Sequence, residues 1–141
     1  MVTAVLDASA FLRFLDDEPG AEHVQRLLSQ ARNHQAIIKI AAVNWGEIIY
    51  SVAKARGLAA SMELASRLHT LPISIHPSGA TESTQAALFK HRFKLPFADC
   101  FAGSLAQSAS AVLVTADFDF KRVPPEELKI EFLPIKKKGG P

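Results

Sequence analysis

A chain of 141 residues that is 48% hydrophobic can bury one substantial core but not two ordinary ones. Charged residues make up 21% and no stretch lacks Val, Ile, Leu and Phe, which excludes intrinsic disorder. The formal net charge of +2 is too small for a protein held to nucleic acid by bulk phosphate attraction, and the single cysteine, Cys100, excludes an internal disulfide and a multi-cysteine zinc site.

The opening run, Val2 to Leu6, is short and apolar and reads as a strand; Asp7 interrupts it too early for a secretory leader. Phe11, Leu12, Phe14 and Leu15 then follow helical spacing. After the break at Asp16 to Gly20, a second helix is predicted over Ala21 to Arg32, and Ala36 to Ala42 holds the β-prone Ile37, Ile38 and Ile40. From Asn44, residues Trp45, Ile48, Ile49, Val52 and Ala53 share a helical face up to the stop at Gly57. Ala59 to His69 is expected to be helical, Pro72 to His76 to be a short strand and Thr81 to Arg92 a helix. Pro96 opens the clearest amphipathic pattern, with Ala98, Phe101, Ala102, Leu105, Ala106 and Ala109 on one face. Ala111 to Thr115 is a buried-strand run, and Ile130 to Leu133 a last strand.

Strands that are nearly continuous apolar runs, alternating with helices, predict an α/β fold with a mostly parallel sheet covered on both faces. We expect one domain over residues 1–135 and a basic tail over 136–141, carrying Lys136, Lys137 and Lys138. No run of about 18 apolar residues occurs, so the expectation is a soluble, cytoplasmic protein.

In such sheets, ligands bind beyond the carboxyl ends of the strands. Asp7 follows the first strand and Asp117 lies two residues after AVLVT, so both should project from that edge. Glu47 and Asp99 belong to first turns of helices that begin near it. Each acid also has a local explanation. Asp7 fits a helix cap, Glu47 a capping-box partner of Asn44, Asp99 a charge at a helix N-terminus, and Asp117 a turn residue. The combination is what those explanations leave unaccounted for. Like charges at 4 Å repel by about 1 kcal/mol per pair in water and about 4 near a protein surface. A divalent cation reverses the sign of that cost, and an oxygen-only donor set favours magnesium or manganese. Such ions serve phosphodiester hydrolysis. The five histidines form no HExxH-type pair, and no dinucleotide, Walker A or G-x-S-x-G motif is present. Asp119 is a fifth acid nearby whose role the sequence leaves open.

Four segments, VLDASAFL, NWGEIIYSV, LPFADCFAGSLAQ and LVTADFDF, match in order and spacing those of PIN domains, and the chain resembles in particular the VapC toxins of toxin–antitoxin systems. The resemblance implies a three-layer α/β/α fold, a magnesium- or manganese-dependent endoribonuclease, a homodimer and a cognate antitoxin partner. It carries the acids to Asp7, Glu47, Asp99 and Asp117; we expect Asp7 and Asp99 to be the principal metal ligands, with Glu47 and Asp117 contributing directly or through water. It also carries hydroxyls that order water or phosphate to Ser9 and Thr115. Ala8 and Ala116 depart from the usual hydroxyl residue and Asn, without removing a ligand. Arg13, Arg92 and Lys94 are candidate phosphate contacts, with single strands or loops of RNA as targets. Two rivals stay open. One is an aspartyl-phosphate phosphatase or receiver, although Asp7-Ala8-Ser9 lacks its paired acids; the other is a catalytically silent module that binds RNA or a partner on the same fold.

Overall fold

Each apolar run of the sequence becomes one strand of a single sheet in the computed structural model, which describes residues 1–136. The strands are β1 (Val2–Leu6), β2 (Ala36–Ala41), β3 (Ser74–His76), β4 (Val112–Thr115) and β5 (Ile130–Phe132). They lie parallel in the order β3-β2-β1-β4-β5. Between them run α1 (Ala8–Leu15), α2 (Ala21–Arg32), α3 (Ala42–Arg56), α4 (Leu58–Ser66), α5 (Ala80–Phe93) and α6 (Phe97–Ser108).

Side chains alternate across a strand, and here both faces are covered, which makes three layers. Ala4, Leu6, Ile38, Ile40, Val112 and Val114 pack with Phe11 of α1, Val24 of α2 and Ile48 of α3. Val5 and Leu113 turn the other way, onto Phe89 of α5 and Phe101 and Leu105 of α6. Gly103 fixes how closely α6 meets α5: a Cβ there would stand 2.5 Å from Phe89 Cζ, so only glycine lets the ring lie on the α6 backbone. Cys100 is buried in the same layer, and burial pushes its thiol up to about 11.

Three boundaries differ from the sequence reading by two residues or more. The helix expected over Ala59 to His69 is α4 followed by a separate 3-10 turn, Leu68–Thr70. Its last turn tightens to i→i−3 bonds at Arg67, and Leu71, preceding Pro72, is held extended at φ −84°, ψ 140°. The third strand is shorter than Pro72 to His76. Helix α3 starts two residues before Asn44, so Asn44 is a first-turn residue rather than the cap. Lys136 pairs with Glu18, while Lys137 and Lys138 lie outside the described residues. No helix among the described residues is long and apolar enough to cross a membrane.

Successive strands step from β1 outward to β3 on one side, and the chain then returns to place β4 and β5 on the other. The reversal falls between β1 and β4, where an open parallel sheet leaves a crevice at its carboxyl edge.

Candidate active site

Register builds the centre of this crevice. Ala4, Val5 and Leu6 stand beside Val112, Leu113 and Val114, so the next step sets Asp7 beside Thr115. Asp7 is 2% exposed and caps α1, its Oδ1 accepting the Ala10 N–H at 2.9 Å. Ser9 Oγ donates to the same oxygen at 2.7 Å, and Thr115 Oγ1 donates to Oδ2 at 2.5 Å. Each hydroxyl is in turn an acceptor: Ser9 from the Ala116 N–H and Thr115 from the Asp117 N–H, both at 2.9 Å. The local role of Asp7 as a cap and its place in the crevice are therefore compatible. The hydroxyl hydrogens of Ser9 and Thr115 are spent on Asp7, so these residues orient a carboxylate instead of offering a donor to a phosphate.

Asp117 extends from the end of β4, with Oδ1 accepting the Asp119 N–H at 2.9 Å in a turn. Asp119 itself is exposed. Asp99 enters from the first turn of α6. Burial is the largest cause pushing its carboxyl up to about 7, followed by repulsion from and a side-chain hydrogen bond with Asp117, then repulsion from Asp7 and Glu47. For Asp7, burial outweighs the hydrogen bonds from Thr115, Ser9 and the Ala10 N–H, and the carboxyl rises to about 6. The positive end of α6 is too weak to offset this crowding at Asp99.

Glu47 reaches the group from α3, steadied by Asn44. The Asn44 side chain is 0% exposed, and its Nδ2 donates to Glu47 Oε1 at 2.8 Å and to the Ala98 carbonyl at 3.1 Å. One amide thus ties the turn that carries Glu47 to the residue before Asp99. The other atom of that amide, Oδ1, is buried without a hydrogen-bond partner among the described residues. Reversing the amide would aim an oxygen at a carboxylate and a carbonyl, so the donor assignment is secure. The sequence reading had Asn44 only as a cap; its spacing to Glu47 was visible, its bond across to α6 was not.

Four acids from four elements therefore meet at one edge. They do not form a finished coordination shell, because no group of three or more His, Cys, Asp or Glu side chains among the described residues has the spacing of a metal site. Asp99 and Asp117 are in side-chain contact, with Asp7 and Glu47 close enough to repel. That arrangement fits magnesium or manganese by donor chemistry, since magnesium commonly takes only one or two carboxylates and keeps several waters. Zinc would want nitrogen or sulfur ligands.

The candidate cations fare differently. Arg13 is a correction: it is 7% exposed, and its Nη1 donates to the carbonyls of Pro19 at 2.6 Å and Pro134 at 2.8 Å, bracing loops rather than facing a substrate. Arg92 is exposed, paired with Glu127 at 2.7 Å and set 4.8 Å from the Phe93 ring centroid. Lys94 ends α5 in a left-handed turn at φ 60°, its side chain exposed and its carbonyl accepting from Arg122 Nη1 at 2.9 Å.

The family model described as PIN domain matches residues 4–125. No curated protein matches the chain by sequence. Among solved structures, VapBC2 from Rickettsia felis, bound to a DNA fragment from the promoter, matches with a TM-score of 0.72 and 19% identity over 94% of this chain and 100% of that one. VapBC from Salmonella typhimurium, also DNA-bound, gives 0.69 and 16% over 94% and 98%. VapC20 from Mycobacterium tuberculosis, described as a toxin that cleaves the sarcin-ricin loop, gives 0.67 and 14% over 84% and 92%. At these identities the likeness shows a shared fold.

Proposed function

Since the chain belongs to the PIN domain family, we propose that it is a divalent-metal-dependent endoribonuclease acting as the toxin of a toxin–antitoxin pair. The observation that supports this most is the crowding of Asp99 by Asp117, Asp7 and Glu47 at the topological switch point. A cluster that costs stability when bare is poorly explained by structure and well explained by a cation bound against a phosphate.

In this reading Asp7 and Asp99 are the principal ligands of magnesium or manganese, with Glu47 and Asp117 contributing directly or through water. An ion held by these carboxylates would offset charge at the scissile phosphate and make a bound water more acidic. The chain's own residues set the geometry. Ser9 and Thr115 hold Asp7 in one rotamer, Asn44 holds Glu47, and the Asp117–Asp119 turn fixes the last acid. Lys94, exposed just before the α6 turn, is the remaining candidate for a phosphate contact.

Antitoxin binding and homodimerisation belong to the same proposal. Supporting them, Tyr50 (67%), Leu58 (70%) and Met62 (63%) of α3 and α4 are exposed, the kind of large side chain that a protein partner covers.

Sequencing of RNA ends after incubation with manganese tests the central claim. The wild-type chain should produce discrete new ends that EDTA abolishes, and Asp99→Asn should lower their yield by more than about a hundredfold while the fold persists. Undiminished cleavage by Asp99→Asn would overturn the assignment; RNA binding without any cleavage by the wild type would favour a silent module.

A further inference from the structure

A pair of stacked phenyl rings stands beside Asp117, one strand out from β4. Phe132 of β5 lies beside Thr115 of β4 in the parallel register, and Thr115 holds Asp7. Phe118, the residue after Asp117, stacks on Phe132 with centroids 5.5 Å apart and planes 12° from parallel. The Lys121 ammonium is 5.3 Å from one centroid and 5.9 Å from the other. Three nearly equal separations put the charge at the flank of the pair, not over the outer face of Phe118. Both rings are only partly buried, and Lys121 is exposed with no ion pair among the described residues. Beside the pair, on the Phe132 side, lies a cleft of about 300 Å³ lined by Lys121, Phe132, Pro125 and Lys129; Phe118 stands outside it.

Packing alone is a poor account of this patch. Phe132 packs on the buried cluster that includes Phe120, Val123 and Leu128, but Phe118 belongs to neither buried cluster and keeps part of its apolar surface in water next to a lysine. Partly exposed aromatic rings beside a cation with no ion pair among the described residues are what a single nucleic-acid strand uses, a base stacking on the ring and its phosphate meeting the ammonium. Adjacent strands are about 4.8 Å apart and β5 lies two strands from β1, so the platform sits about 10 Å from Asp7, within one or two nucleotides of a phosphate held there.

We infer that Phe118, backed by Phe132 and flanked by Lys121, is a stacking subsite for an unpaired base next to the scissile phosphate of a single-stranded RNA. This rests on the nuclease reading and adds where the substrate's base is held. Base–aromatic stacking tolerates any base, so the subsite selects for unpaired RNA more than for a given letter.

Steady-state cleavage in manganese, on a single-stranded oligoribonucleotide cut by the wild type, tests it. Phe118→Ala should raise KM roughly five- to a hundredfold with kcat little changed, and Phe118→Tyr should restore wild-type values. An abasic residue moved through the positions flanking the cut should, at one of them, cost the wild type as much as the alanine does and cost Phe118→Ala nothing more. Lys121→Ala should reduce the log–log salt slope of 1/KM by about one. If Phe118→Ala does not fold, Phe118→Leu, which keeps bulk and loses the π face, replaces it. A wild-type KM in the folded variant, or no position where the two losses merge, overturns the subsite while leaving the nuclease reading standing. A wild type that cuts no RNA overturns both.

Discussion

The two halves of the acid cluster are held in opposite ways. On the strand side, Asp7 accepts three hydrogen bonds inside the sheet's central register, and the groups that donate or steady them, Ser9 and Thr115, are themselves tied to β4-loop amides. On the helix side, Glu47 and the turn before Asp99 share a single connector, the Asn44 amide. The strand side is fixed redundantly and the helix side at one point. A site assembled this way should tolerate damage to one hydroxyl better than damage to the one amide.

The sharpest way to break that contrast is Asn44→Ala. It should weaken manganese binding, measured by calorimetry, by about 10- to 100-fold, as loss of an orienting partner does. The stability cost should be only about 1 kcal/mol, because removing the buried, unpartnered Oδ1 offsets part of the lost bonding. Thr115→Val should do the reverse. Leaving Asp7 Oδ2 and the Asp117 N–H without Thr115 should cost about 1–3 kcal/mol in denaturant unfolding, with a smaller change in metal affinity. Because that hydrogen bond pulls the Asp7 carboxyl down, the acidic limb of the pH–rate profile should also move to higher pH.

A gentler probe is pH itself. Both Asp7 and Asp99 hold their protons more tightly folded than unfolded, so the folded state is favoured by protonation. That contribution is complete below the ordinary value of 3.8 and is lost as pH rises through about 6 for Asp7 and about 7 for Asp99. In EDTA, Tm should fall by several degrees between pH 5 and pH 8 by differential scanning fluorimetry; manganese should flatten the curve, raising Tm most at pH 8. A curve that rises with pH in EDTA would mean that the acids do not crowd one another. The smallest effect is expected at Arg92→Ala, within about 0.5 kcal/mol because its ion pair is exposed, whereas Arg13→Ala should cost about 1–3 kcal/mol by freeing two carbonyls.

The sheet was legible because its strands are buried on both faces, and continuous apolar runs such as AVLVT have no other plausible reading at that length. Parallel order then places Asp7 and Asp117 at one edge from the sequence alone. What escaped was direction and distance. Arg13 looked like a substrate contact because sequence does not tell a guanidinium facing solvent from one turned toward Pro134, 121 positions along the chain. Asn44 looked like a cap because its bond to Ala98 spans 54 positions. The end of α4 was misjudged because the influence of Pro72 on Leu71 outweighed helical spacing that runs on to His69.

The pairing of Asp7 with Thr115 joins residues 108 positions apart. During synthesis, a nascent chain stalled anywhere before Thr115 clears the ribosome lacks the strand that completes the centre, however well its earlier helices have formed. If the chain is the proposed nuclease, cutting would thus be withheld from translation products that end before Thr115, without requiring a separate inhibitor for them.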